Sequence, residues 1–248
     1  MIILGFESTA KAASVALVDG DKTLAVYSID NGLTQSELLL PMAQSILSSV
    51  KLSFDDVDLF TAALGPGSFT GVRIGVSLVK GLSFGKNKKT VAVSSLEALA
   101  ENLSGLSGLI VPVMDARRNQ VYTALFKSGA DGINRITDDA AISIDELYAM
   151  LTEYENEDIY LVGDGYELVY KSLGKKIPLR CTPRELRLQN ASSVCRVAKR
   201  YFEKGETLSD IELSPVYLRL AQAERERLER ENLKGKRFRL VQTAPDTD

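Results

Sequence analysis

Three short clusters carry the residue types that could do chemistry. Gly65-Pro66-Gly67-Ser68-Phe69-Thr70-Gly71 sets three glycines and a hydroxyl just ahead of an apolar, helix-periodic stretch. Glycines at such a place let a ligand approach, and the helix N-terminus that follows offers unpaired N–H groups to an anion. It is not a Walker A loop, because the closing Gly-Lys-Ser/Thr is absent. The plain alternative is a strand-to-helix turn that needs glycine φ angles. Glu7-Ser8-Thr9-Ala10-Lys11 offers a carboxylate, two hydroxyls and a point charge; a capped or hydrogen-bonded turn, with Ser and Thr bonding to neighbouring backbone, is the reading the residues favour. Asp115-Ala116-Arg117-Arg118-Asn119 sets a carboxylate beside two guanidiniums, as a ligand clamp or as an internal ion pair at a hairpin. The candidate nucleotide or anion cleft is therefore Glu7, Ser8, Thr9, Lys11, Gly65, Gly67, Ser68 and Asp115.

Other chemistry is excluded by composition. The 248 residues contain no histidine. A histidine-held metal, a Ser-His-Asp triad, a Cys-His dyad and a histidine general base are all ruled out. Peptidase chemistry needs an activated nucleophile, and without histidine or a Ser-Lys arrangement it has no support. The two cysteines, Cys181 and Cys195, show no pairing signature and read as small buried side chains in a reducing compartment. Net charge is −3, so the chain as a whole is no trap for nucleic acid. Glu224–Arg239 carries seven basic residues against four glutamates, a local +3. That run could touch RNA phosphate, or be a solvated helix face with i,i+4 pairs. No stretch approaches the roughly 20 apolar residues of a membrane span. The start, Met1–Phe6, reads as a buried strand, not a signal peptide, and the localisation expected is cytoplasmic.

The elements that must position these clusters follow from periodicity. Strands are expected at 2–6, 14–18 and 24–29, with an Asp19-Gly20-Asp21 hairpin turn. Thr34-Gln35-Ser36-Glu37 has capping-box form and opens a helix. Its apolar residues Leu38, Leu39, Leu40, Met42, Ala43, Ile46, Leu47 and Val50 span roughly 200° of the wheel at about 100° per residue. A surface helix needs about 100°, so apolar surface is left over. Pro41 is expected to kink this helix or mark a later start. A strand at 59–64 leads through the glycine loop into a helix to about 84, apolar nearly all round, with Gly71, Gly75 and Gly81 permitting close approach. Strand 91–93 and helix 95–103, with Ser95 as a weaker cap, complete the first half. Ser104-Gly105-Leu106-Ser107-Gly108 is the best linker. Then come strand 109–114 ending in Asp115, strand 121–126, a helix capped at Ser143, strand 159–162, Gly163-Asp164-Gly165 and a helix near 192–203. Residues 215–218 read as extended.

Each half opens with strand, acidic residue, turn and strand, which suggests an internal duplication. The order βββαβα(βα), begun twice, is the layout of the α/β actin-like ATPase and sugar-kinase class (an RNase H-like fold), with two halves facing across a cleft. The domains expected are 1–103, an N-terminal actin-like subdomain; 104–213, a second one; 214–232, a C-terminal helix packing back on the first; and 233–248, a flexible tail.

Five blocks together resemble the TsaB (YeaZ) family: Ile3–Thr9, Thr34–Pro41, Gly65–Gly75, Asp115–Arg118 and Pro215–Arg219. They fall in the family's order and span residues 1 to about 224. The resemblance implies a non-catalytic paralogue of TsaD, the actin-like enzyme that transfers threonylcarbamoyl to adenosine 37 of tRNA. TsaD holds a metal through a His-x-x-x-His pair on the helix matching the first helix here. TsaB is expected to pair with TsaD through its first two helices, with a TsaE-like ATPase joining, and to form a homodimer when alone. It would meet tRNA only through the complex. ATP and a divalent metal are expected on the partners, with no cofactor and no metal on this chain. Many members have histidine where Thr34 or Gln35 stands here, so that residue is not needed as a ligand.

The interface candidates are Leu38, Leu39, Met42, Ala43, Ile46 and Leu47 with Gly71, Ile74, Gly75 and Leu78. The alternative reading is a small actin-like kinase of a sugar or carboxylic acid. Against it stand the short chain and the lack of glycine between Glu7 and Gly20, where such kinases let backbone meet phosphate.

Overall fold

The opening 29 residues form the expected meander, slightly longer at its ends: β1 (Ile2–Glu7), β2 (Ala13–Asp19) and β3 (Lys22–Ile29). β1 and β2 run antiparallel from Ile2 opposite Asp19 to Glu7 opposite Ser14. Gly20 makes the turn at φ +59°, a left-handed value that glycine adopts without penalty. β1 is buried on both faces, as a central strand must be when helices cover both sides. The computed structural model describes residues 1–130 and 132–219.

α1 (Gln35–Ser49) begins ahead of Pro41 and continues through it, so the later start does not occur. Pro41 is exposed, so the main-chain acceptor it leaves unpaired lies where water can reach the helix. β4 (Leu59–Ala63) pairs in parallel with β1, and β5 (Lys89–Val93) in parallel with β4. Between them runs α2 (Phe69–Ser83). The first sheet thus has the order β3-β2-β1-β4-β5. α3 (Ser95–Glu101) is capped by Ser94, whose hydroxyl accepts from Leu96 and Glu97, and not by Ser95.

The second sheet repeats this order. β6 (Gly108–Asp115) is its centre, β7 (Gln120–Thr123) its antiparallel neighbour, and β10 (Ala140–Ser143) lies beyond β7. On the other side β11 (Ile159–Val162) and β12 (Leu179–Arg180) pair in parallel, giving β10-β7-β6-β11-β12. A further hairpin, β8 (Phe126–Gly129) with β9 (Gly132–Arg135), pairs with the start of β6. The single strand expected at 121–126 is therefore two strands, β7 and β8. α4 (Ile144–Thr152) and α5 (Tyr166–Leu173) stand where α1 and α2 stand in the first half. This duplicated α/β architecture is the actin-like layout expected from the sequence.

α1 and α2 cover one face of the first sheet. Leu39, Met42, Ala43, Ile46 and Leu47 pack there with Leu4, Phe6, Val15 and Leu17. The other face takes α7 (Ala191–Glu203), with Ala191, Val194, Cys195 and Ala198 on Ile3, Ala16 and Leu59. Expected within 104–213, α7 thus crosses back to the first sheet. A short helix α6 (Arg184–Arg187) precedes it. Glu97 and Glu101 of α3 meet Arg200 of α7 at 3.6 and 2.7 Å, while Arg135 of β9 reaches Glu97 at 3.3 Å. Cys195 is buried as expected, whereas Cys181 is exposed. The expected helix of 214–232, from 220 onward, and the tail of 233–248 lie outside the described residues, as does the whole basic run.

Candidate docking groove and cleft

The two helices leave a groove between their outer faces. α1 opens at Thr34, whose N–H and hydroxyl both donate to the Glu37 carboxylate at 3.2 and 2.8 Å. α2 opens at Ser68, whose hydroxyl accepts from the Gly71 N–H at 3.2 Å. The groove encloses about 510 Å³, with Gln35, Ser36, Leu39 and Leu40 on one wall and Phe69, Arg73, Ile74, Ser77 and Leu78 on the other. The Arg73 guanidinium sits 3.8 Å over the Phe69 ring, a cation–π pair that holds both side chains on the rim.

The interface candidates divide sharply. Leu39, Met42, Ala43, Ile46 and Leu47 are 5% exposed or less and form the core of their own subdomain. The apolar surplus on the α1 wheel is thus mostly consumed by the sheet beneath, and Met42, Ala43, Ile46 and Leu47 do not line the groove. Leu39 alone of them also reaches the groove floor. Gly71 and Gly75 are buried too: a Cβ on Gly71 would meet the Ser8 main-chain oxygen at 1.9 Å, and one on Gly75 the Ser8 hydroxyl at 2.6 Å. Leu38, Ile74 and Leu78 remain partly exposed. Leu40, Phe69 and Arg73, which were not among the candidates, also line the groove. The signal was present, since Phe69, Arg73 and Ser77 recur at a spacing of four beside Thr70, Ile74 and Leu78.

The cleft candidates gather around the ends of β1 and β4. Glu7 is fully buried. Its Oε1 accepts from both the N–H and the hydroxyl of Thr9 at 2.6 Å, while its Oε2 has no partner among the described residues. Burial pushes its carboxyl up to about 7; the Thr9 bonds pull it down, and nearby Asp164 adds to the rise. Thr9 in turn accepts from the Ser68 N–H at 2.7 Å, and its carbonyl fills the space beside Gly67. Gly65 faces the Val216 carbonyl. The glycines of the loop are thus required by contacts within the chain. The turn that would have to meet a phosphate is closed by its own carboxylate, and Lys11 is exposed.

Asp115 accepts from the Arg117 N–H at 2.7 Å and pairs with its guanidinium at 3.5 Å. Arg117, Arg118 and Asn119 all take left-handed φ values in this turn. Sequence reasoning missed two residues at the cleft, Asp164 and Gln189. Asp164 keeps an exposed surface, yet desolvation raises its carboxyl; the Gln189 amide opposes this and Asp115 reinforces it. Gln189 is buried, and neither of its amide atoms makes a hydrogen bond of normal geometry.

With no histidine in the chain, and no group of three His, Cys, Asp or Glu among the described residues arranged around a common point, the residues do not fit the metal that the resemblance attaches to TsaD. No helix among the described residues is long and apolar enough to cross a membrane.

A duplicated actin-like chain with a self-closed phosphate turn and an open helix-pair groove is thus the class that the fold and site define. The chain belongs to the TsaB (YeaZ) family. It is 32% identical over 232 residues to the Bacillus subtilis (strain 168) tRNA threonylcarbamoyladenosine biosynthesis protein TsaB, covering 90% of this chain and 96% of that one. The Escherichia coli (strain K12) protein of the same name is 30% identical over 221 residues, with 88% and 95% covered. The family model of TsaD, tRNA N6-adenosine threonylcarbamoyltransferase, matches residues 34–227. Among solved structures, YeaZ from Pseudomonas aeruginosa superposes with a TM-score of 0.71 at 23% identity, over 88% of this chain and 99% of that one. That likeness speaks to the fold.

Proposed function

We propose that this chain is the non-catalytic partner of a TsaD-like transferase in making the threonylcarbamoyladenosine of tRNA, and that it docks through the α1–α2 groove. Its family membership gives it the role in threonylcarbamoyladenosine biosynthesis. The observation that carries the docking reading is the groove itself, about 510 Å³ with apolar side chains on both walls. Leu40 is 38% exposed there, and Phe69, Ile74 and Leu78 are partly so. An apolar strip of this kind, rimmed by Gln35, Ser36, Arg73 and Ser77, has the composition of a protein interface.

On this reading a TsaE-like ATPase joins the pair, the same groove supports a homodimer when the chain is alone, and tRNA is met through the complex. The chain works in the cytoplasm and carries no cofactor, ATP and divalent metal residing on the partners. The kinase alternative is not favoured, because the Thr9 amide that would have to face a phosphate is already bonded to Glu7.

Light scattering on the purified chain mixed with a TsaD-family chain tests this. A heterodimer that forms at the expense of the homodimer is expected. Two species that stay separate at every ratio would overturn the docking reading.

A further inference from the structure

The Glu7–Ala10 turn touches the cleft at one end and both walls of the groove at the other. Towards α2, Thr9 accepts from Ser68 N–H at 2.7 Å and the Ser8 hydroxyl donates to the Gly71 carbonyl at 2.8 Å. Towards α1, the Gln35 side-chain amide donates to the Ala10 carbonyl at 2.9 Å. Gln35 itself lines the groove. The first turns of both groove helices therefore hang on four consecutive residues whose own shape is set by the Glu7 carboxyl.

We propose that this turn is a proton-operated latch between cleft and groove: neutral Glu7 holds α1 and α2 in the docking arrangement, and its ionisation releases them. The inference deepens the docking reading and rests on it.

Full burial and the unpartnered Oε2 favour the neutral form, against the pull of the Thr9 donors. Oε1 receives two donors from Thr9, and the Ser8 N–H adds a smaller pull toward the ionised form, while Oε2 is buried with no hydrogen bond of normal geometry among the described residues. A protonated carboxyl leaves one weakly polar O–H there. An ionised one would leave a buried anionic oxygen without a well-formed hydrogen bond, which is costly in a protein interior. Among the described residues, no cation is one of the groups that act most strongly on it. Asp164, on the β11–α5 turn, is the charged group whose field Glu7 feels, and it is acidic. Asp115, at the end of β6, adds negative charge beside Asp164. On β2 the residue opposite Glu7 is Ser14. The start of α2 brings Ser68, Gly71 and Gly75 to the turn, and α7 brings Ala191 and Cys195 to Gly5, two residues back along β1. Lys11, on the turn itself, is exposed. On losing its proton to solvent, Glu7 can regain hydration only by moving the turn outward, and that motion draws on the bonds to Ser68, Gly71 and Gln35.

The test measures association with a TsaD-family chain between pH 6 and 8 for the unaltered chain, Glu7→Gln and Thr9→Val. One released proton permits at most about a ten-fold loss of affinity per pH unit. A loss of about five-fold or more across the range is expected for the unaltered chain. Glu7→Gln, which mimics the neutral carboxyl, should stay flat at the level the unaltered chain has at pH 6. Thr9→Val removes a bond that favours the ionised form, so its midpoint should move to higher pH. A merely structural turn would lower affinity at every pH without moving the midpoint. A flat curve for the unaltered chain, or parallel curves for it and Glu7→Gln, would overturn the latch.

Amide exchange on the isolated chain separates this from the docking reading. The Ser68 amide, bonded to Thr9, should lose protection with rising pH relative to Glu7→Gln at the same pH. If that loss is present but no complex forms under any condition, the docking reading fails and the latch motion stands. If it is absent, the latch fails.

Discussion

The main-chain oxygen of Ser8 lies where a Cβ on Gly71 would have to go, 1.9 Å away, while its hydroxyl donates to the Gly71 carbonyl at 2.8 Å. Strand end and helix start leave no room for a side chain at Gly71. Glycine inside a helix costs about 1 kcal/mol against alanine. Here that cost secures the contact joining cleft to groove.

Gly71→Ala should therefore destabilise the chain by about 1–3 kcal/mol through overpacking. Gly81 lies in the same helix with nothing within 4 Å of its Cβ position. Gly81→Ala should stabilise by up to about 1 kcal/mol. Urea denaturation of both variants reads the difference, and equal effects would show that close approach does not govern Gly71.

Core and rim separate by substitution. Leu39 is 1% exposed, so Leu39→Ala should cost about 2–5 kcal/mol and lower the melting temperature. Leu78 lines the groove and is only partly buried. Leu78→Glu should weaken partner association strongly while costing much less stability than Leu39→Ala. Paired melting curves and light scattering decide it; association unaffected by Leu78→Glu would remove that residue from the interface.

Stability should depend on pH through Glu7. Its carboxyl titrates near 4.5 when the chain is unfolded and is pushed up to about 7 when folded. Between those values the unfolded chain has lost a proton that the folded chain keeps. The contribution is thus fully present below about 4.5, falls as pH rises, and is gone above about 7, a change of about 3 kcal/mol. Glu7→Gln should lack that slope. Denaturation midpoints at pH 5, 6, 7 and 8 measure it, and identical slopes would place the titration elsewhere.

Calorimetric titration of the isolated chain with Mg-ATP should give no saturable heat, since Thr9 N–H and hydroxyl are both bonded to Glu7 at 2.6 Å. Saturable binding with turnover would return the kinase reading to first place.

Much of the fold was legible because local signals agreed with the tertiary arrangement. The capping residues Thr34 with Glu37 and Ser143 with Glu146 mark the starts of α1 and α4. The Asp-Gly turn marks the first hairpin. β9 was not legible: Gly132–Arg135 is short, half exposed and without alternation. α5 follows an N-cap Gly165 that makes no side-chain cap bond, so only the spacing of Tyr166, Val169, Tyr170 and Leu173 marked it. The division of α1 between core and groove was beyond periodicity, since an apolar arc that wide does not say which part meets the chain's own sheet. Asp164 and Gln189 reach the cleft from more than a hundred residues away from Glu7, a proximity that only folding creates.

The return of α7 to the first sheet interlocks the two halves. A cut in the exposed Ser104–Ser107 loop would yield an N-terminal fragment whose Ile3, Ala16 and Leu59 lack the α7 residues that cover them. Its complement would carry α7 with no sheet to receive it. Such fragments should stay insoluble or unfolded when expressed apart and regain a native-like melt when co-expressed, so this loop is a natural break point for a split-protein complementation reporter.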